Sequence, residues 1–95
     1  MFDLTGRIAL VTGASGGLGQ AIARALHAQG ASVALTGTRR EALEALAAAL
    51  ETRTHAAPCD LSDTAAVEAL IPAVESALGP IDILVVDHVE RPSDN

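Results

Sequence analysis

The sequence predicts an α/β protein built on a parallel, doubly wound sheet with helices on both faces. Three observations lead there. Short, almost wholly apolar runs, the kind buried in parallel strands, alternate with longer stretches of helical periodicity. The alternation occurs four times with short connections, and each crossover is long enough for a right-handed βαβ unit. The composition, 49% hydrophobic and 19% charged, is that of a globular chain.

The first strand is Arg7 to Thr12 (RIALVT), apolar enough to be covered on both faces. The first helix runs from Leu18 to Gln29, with Leu18, Ile22, Ala25, Leu26 and Ala28 as its apolar positions and Gly30 ending it. Ser32 to Thr36 (SVALT) is the second strand. Thr38-Arg39-Arg40-Glu41 has capping-box form, so Thr38 is expected to cap a helix through about Leu50, with Leu43, Leu46 and Leu50 on one face. His55 to Cys59 is the third strand, and Pro58 places it near an edge. Ser62 is the expected cap of a helix over about Asp63 to Leu78. There Val67, Leu70, Ile71, Val74 and Leu78 are apolar and Pro72 should introduce a kink. Gly79-Pro80 stops that helix, and Ile81 to Val86 (IDILVV) is the fourth strand.

The simplest arrangement is half of a doubly wound sheet with strand order 3-2-1-4. Ligands then bind beyond the carboxyl ends of the strands, in the crevice between strands 1 and 4. Residues 1–86 form this unit, and 87–95 read as a polar C-terminal tail, disordered over 90–95. Its core must be thin. The chain has one Phe, no Trp and no Tyr, and it is rich in Ala. Each Ala contributes roughly a third to a half of what a buried Leu or Val does.

A net charge of −6 argues against nucleic acid and anionic membranes as partners. Cys59 is the only cysteine, which fits a reducing compartment. No signal peptide or membrane-spanning run is visible, so the expected location is cytoplasmic.

The turn after strand 1 carries the chemistry. Gly13, Gly17 and Gly19 are spaced G-x-x-x-G-x-G, with an additional Gly16, between a strand and a helix. A phosphate needs amides aimed at it and no Cβ in the way. Glycine supplies both, and the helix N-terminus favours the anion. This is the context of a Rossmann-like dinucleotide site; a flexible loop without a ligand is the alternative. A chain selecting NAD places an acid after strand 2 for the ribose hydroxyls. Here Thr36-Gly37-Thr38-Arg39-Arg40 has none before Glu41, and Thr38 with Arg39 can meet a 2′-phosphate, which favours NADP (NADPH). The alternative leaves Arg39 and Arg40 as solvated first-turn residues. Asp60, after strand 3, can accept from the adenine amino group or can help cap the next helix.

With these residues in view, the chain resembles the short-chain dehydrogenases/reductases, and among them the bacterial 3-oxoacyl-[acyl-carrier-protein] reductases of fatty acid biosynthesis. The matching segments are Leu10-Val11-Thr12-Gly13-Ala14-Ser15-Gly16-Gly17-Leu18-Gly19, Gly37-Thr38-Arg39, Cys59-Asp60-Leu61-Ser62 and Asp82-Ile83-Leu84-Val85. The resemblance implies that Gly13, Ser15, Gly17, Leu18 and Gly19 hold pyrophosphate and ribose. It further implies that Thr38 and Arg39 hold the 2′-phosphate, and Asp60 with Leu61 the adenine.

Two departures stand beside it. The family carries Asn-Asn-Ala-Gly after strand 4, where this chain has Val86-Asp87-His88-Val89. Bulky Val89 and His88 would crowd the ribose, and Asp87 brings negative charge. The family's catalytic Ser, Tyr and Lys lie downstream, and this sequence contains no Tyr and no Lys, so no catalytic residue is assigned. Asp87, His88 and Glu90 lack the rigid third element a metal site needs, and no metal is expected. The leading expectation is an NADP-binding, N-terminal portion of a truncated oxidoreductase, inactive alone. The alternative is a non-catalytic interaction or complementation fragment, pairing with another chain or a second copy through its exposed sheet edge and helix face.

Overall fold

In a computed structural model, which describes residues 3–60 and 63–86, the apolar runs form four short strands: β1 (Ile8–Val11), β2 (Ser32–Leu35), β3 (Thr54–Ala56) and β4 (Ile83–Val85). All pair in parallel, in the order β3-β2-β1-β4. The register sets Val11 beside Leu35 and Val85, and Leu35 beside Ala56. The strands therefore end together at one pole, and the predicted doubly wound α/β arrangement is the observed one.

Helices α1 (Gly17–Ala28) and α2 (Arg40–Leu50) cover one face, packing Ala23, Leu43 and Leu46 on Val11, Val33 and Leu35. Helix α3 (Thr64–Ala77) covers the other, where Leu70 and Val74 meet Leu10, Ala34 and Cys59. Alternation along each strand sends successive residues to opposite layers, which explains why β1 had to be apolar throughout.

Several local expectations need correction. Leu18 was expected on the buried stripe of α1 but is 63% exposed; Gly19 and Ala23 make the buried contact instead. Small residues win because they let the helix lie close to the sheet. Ala25 and Ala28 are exposed as well. Ile71 of α3 is likewise exposed. Each capping position lies one residue later than expected. Arg39, not Thr38, is the N-cap of α2 and makes no side-chain cap bond. Asp63 caps α3, its carboxylate accepting from the amides of Ala65 at 3.1 Å and Ala66 at 3.3 Å. Ser62 lies outside the described residues. Pro72 lies inside α3, which runs on to Ala77; it sits on an exposed position, where water can serve the carbonyl it leaves without a partner.

β3 begins one residue earlier than expected and ends before Pro58, although the Ala57 and Cys59 amides still donate to Leu35 and Gly37. The nitrogen of Pro58 falls between these two on the free side of the edge, where no N–H is missed. At the opposite pole Arg53 fastens α1 to the sheet. Its guanidinium donates to Ala31 O at 2.7 Å and reaches His27 O at 3.4 Å, while His27 Nε2 contacts Thr52 O at 2.7 Å. A cation on the terminal carbonyls of a helix is favourable. It offsets a turn in which both Glu51 (φ 73°) and Arg53 (φ 59°) adopt left-handed backbone. Among the described residues no helix is long and apolar enough to cross a membrane.

Candidate functional site

The turn from β1 into α1 begins with Gly13 at φ 66°, a conformation that glycine adopts without strain. Its carbonyl accepts the Gly16 N–H at 3.1 Å, closing the turn, and Ala14 N–H is drawn sideways to Thr36 O at 2.9 Å. Helix α1 then starts at Gly17. Its N-cap, Gly16, offers no side chain, and its first turn contains no acid. Among the described residues the amides of Gly17, Leu18 and Gly19 have no hydrogen-bond partner; the ladder begins with Gln20 N–H to Gly16 O at 2.9 Å. Three bare donors at the positive end of a helix dipole are what an anion needs.

Glycine is required here for two different reasons. A Cβ on Gly19 would stand 2.1 Å from Gly13 O and 2.7 Å from its carbonyl carbon, so this residue closes helix onto turn. A Cβ on Gly17 would meet nothing within 4 Å, so that position faces open space. Gly16 is exposed, and Ser15 is half-buried beneath it.

Thr38 and Arg39 stand beside this turn at the entrance to α2, both exposed. Because Thr38 is not the cap, its hydroxyl has no partner among the described residues and remains available. Arg40 is drawn to Glu44 at 3.7 Å, one helical turn on, whereas the Arg39 guanidinium has no ion pair among the described residues. Arg39, Arg40, Glu41 and Ala42 line a hollow of about 380 Å³. Asp60 follows on the same rim, because Cys59 N–H still pairs with Gly37 O at 2.9 Å; the Asp60 carbonyl accepts the Asp63 N–H at 2.9 Å. Leu61 lies outside the described residues. So do Asp87, His88 and Val89, while Val86 is 63% exposed beyond β4.

The structure therefore brings Gly13, Ser15, Gly16, Gly17, Leu18, Gly19, Thr38, Arg39 and Asp60 to the carboxyl pole of one parallel sheet, around the point where strand order reverses. It adds two residues that the sequence reading left in the background. Thr36 is fully buried, donates its hydroxyl to Ala57 O at 2.7 Å and holds Ala14 with its carbonyl. Gly37 lies against Ser15. A polar residue and a glycine ending an apolar strand were the available signal.

The model of the family described as short chain dehydrogenase matches residues 7–87. The chain belongs to this family. Nodulation protein G of Rhizobium sp. (strain N33) is 60% identical over 85 residues, which are 90% of this chain and 35% of that protein. The 3-oxoacyl-[acyl-carrier-protein] reductase FabG of Rickettsia bellii is 42% identical over 85 residues, 90% of this chain and 34% of its own length. Among solved structures, 3-ketoacyl-(acyl-carrier-protein) reductase of Brucella melitensis, complexed with NADH, superposes with a TM-score of 0.83. Its identity is 33%, over 86% of this chain and 34% of that one. The chain thus spans about a third of the length of the curated relatives it matches. Nicotinamide dinucleotides are the cofactor class of this short-chain dehydrogenase family.

Cys59 faces the α3 layer beside a shallow groove of Ala57, Pro58, Ala66, Ala69, Leu70 and Ala73. Burial pushes its thiol up, and the Asp60 and Asp63 carboxylates add to the effect. A raised pKa leaves less thiolate at a given pH, so alkylation at neutral pH should be slower than for a free thiol. A rate profile with iodoacetamide against pH checks this; a rate at pH 7 matching glutathione contradicts it.

Proposed function

We propose that this chain binds NADP(H) at the carboxyl pole of its sheet and is the cofactor-binding portion of a ketone reductase resembling the 3-oxoacyl-[acyl-carrier-protein] reductases. The observation that carries the reading is the set of bare amides on Gly17, Leu18 and Gly19, opening onto space that a Cβ at Gly17 would enter. These amides suit the diphosphate, with Gly13 and Gly16 shaping the turn. Ser15, lying between that turn and the α2 entrance, suits the adenosine ribose. Thr38 and Arg39 suit a 2′-phosphate, since the Arg39 guanidinium and the Thr38 hydroxyl lack competing partners among the described residues. Asp60 suits the adenine amino group, and the family resemblance adds Leu61, which lies outside the described residues.

When bound, the reduced cofactor supplies a hydride for a ketone such as that of a 3-ketoacyl thioester. The chain's own contribution is binding and orientation. It contains neither Tyr nor Lys, so its residues offer no counterpart to the family's proton donor. These 95 residues by themselves bind cofactor and do not turn over. Titration with NADPH and NADH, followed by calorimetry, tests the reading. NADPH should bind at least about tenfold more tightly, the value of one good charge-assisted contact. Equal affinities defeat the assignment of NADP, and no binding of either defeats the site.

A second reading has its own observation. β4 is an edge strand of the described sheet, and Leu84 within it and Val86 just after it are 60% and 63% exposed. An apolar edge with unpaired backbone groups favours pairing with another chain or a second copy. Sedimentation that gives a clean monomer at high concentration would count against it.

A further inference from the structure

Gly37 is buried where the chain leaves β2 for α2. Its carbonyl accepts the Cys59 N–H at 2.9 Å. The preceding Thr36 gives its N–H to Val11 O at 3.0 Å, holds the Ala14 N–H with its carbonyl at 2.9 Å, and donates its hydroxyl to Ala57 O at 2.7 Å. Residues 36 and 37 thus form a wall fixed to β1 on one side and to the end of β3 on the other. The turn after β1 rests on this wall. A Cβ on Gly37 would stand 2.8 Å from Ser15 Oγ, 3.3 Å from Ser15 N and 3.4 Å from Ser15 Cβ. The backbone of Gly37 is not left-handed, so space alone is what calls for glycine.

We infer that Gly37 is a positioning residue for the phosphate-binding turn: its bare Cα is the seat of Ser15, and so it sets where Ser15 and the amides after it stand. The inference rests on reading residues 13–19 as the cofactor cradle, and it deepens that reading. One hydrogen bond, Ala14 N–H to Thr36 O, draws the turn onto the wall immediately before Ser15. A methyl group at position 37 opposes that pull. Either Ser15 leaves its rotamer or the turn pivots about the Ala14 tether, and in both cases the Ser15 hydroxyl is displaced from its place between the two candidate loops.

Three variants test this: Gly37→Ala, Ser15→Ala and the double variant. Each is read by NADPH titration and by amide NMR spectra of the cofactor-free chain. G37A should weaken NADPH by about tenfold, the scale of a local steric clash. The double variant should bind like S15A alone, because S15A removes the atom that a Cβ at 37 approaches most closely. In cofactor-free spectra, G37A should shift the amides of residues 14–17 and leave those of Leu70 and Val74 in α3 in place. Unchanged affinity in G37A, or the same loss in the S15A background, overturns the inference. If the unaltered chain binds neither dinucleotide, the cofactor reading fails separately; the spectra then decide, and unmoved resonances for residues 14–17 overturn the positioning role. Should G37A fail to fold, refolding in the double variant supports the contact, and a double variant equally unfolded overturns it.

Discussion

Alanine in place of Gly19 lowers stability by about 3 kcal/mol and abolishes dinucleotide binding, the upper part of the range for overpacking. The added Cβ would lie 2.1 Å from Gly13 O, 2.7 Å from Gly13 C and 3.0 Å from Ala14 Cα. All three are backbone atoms, so no rotamer change relieves the clash. The start of α1 must retreat by about an ångström, which breaks the close packing of a well-filled interior. Gly19 and Ala23 form the buried face of α1, so the shift is felt by the whole layer over Val11 and Leu35. For a domain of this size the expected fall in Tm is about 10–20 °C. Gly17→Ala is the companion measurement. Its Cβ meets nothing, and alanine in a helix gains up to about 1 kcal/mol over glycine. It should keep or raise Tm while weakening the cofactor. A G19A chain with unaltered Tm, or a G17A chain with unaltered affinity, would contradict the division of labour between the two glycines.

Removing the Arg39 side chain should separate the two nicotinamide cofactors. A charge-assisted bond to a phosphate contributes about 1.5–3 kcal/mol, so Arg39→Ala should weaken NADPH by roughly 10- to 100-fold and leave NADH within about twofold. The specificity of this outcome comes from the neighbours. Arg40 lies one residue further into α2 and is drawn to Glu44, and the Thr38 hydroxyl is not spent on capping α2. Arg39→Glu should reverse the preference, because a carboxylate repels the 2′-phosphate and can accept from ribose hydroxyls. Parallel titrations of NADPH and NADH at fixed ionic strength provide the check. Equal losses for both cofactors in R39A would show that Arg39 acts on the shared part of the dinucleotide, and the 2′-phosphate assignment would fall.

The sheet was legible because its signal is redundant. Each of β1, β2 and β4 is an apolar run, the intervening stretches have helical period, and handedness restricts how such units join. The turn at Gly13–Gly19 was legible for the same reason, since its glycines, the strand before it and the helix after it agree. Capping was read one residue early at both α2 and α3. Ser and Asp are both good caps, so the local sequence does not rank Ser62 against Asp63; at α2 it favours Thr38, and no local signal marks Arg39, which makes no side-chain cap bond. The apolar stripes went astray at Leu18 and Ile71 because periodicity weighs size, whereas Gly19 and Ala23 bring α1 onto the sheet by being small. Gly37 was visible only as a glycine after a strand. Its meaning depends on Ser15, a neighbour in space and not in sequence, and such a contact leaves no mark in a single chain.

The fastening of Arg53 to Ala31 O and His27 O lies at the amino ends of β2 and β3, as far along the sheet as possible from Gly17. A last-turn carbonyl of α1 is therefore tied by a cation at one end of the molecule, while among the described residues its first amides are unanswered at the other. A substitution that loosens the anchored end should change how long the protein survives heat without changing which dinucleotide it prefers. The open end can exchange Arg39 or Thr38 for residues suited to another cofactor while the fold is held from behind. Durability thus draws on both ends, since Gly19 closes α1 onto the turn, whereas Thr38 and Arg39 are exposed and can change without disturbing that packing.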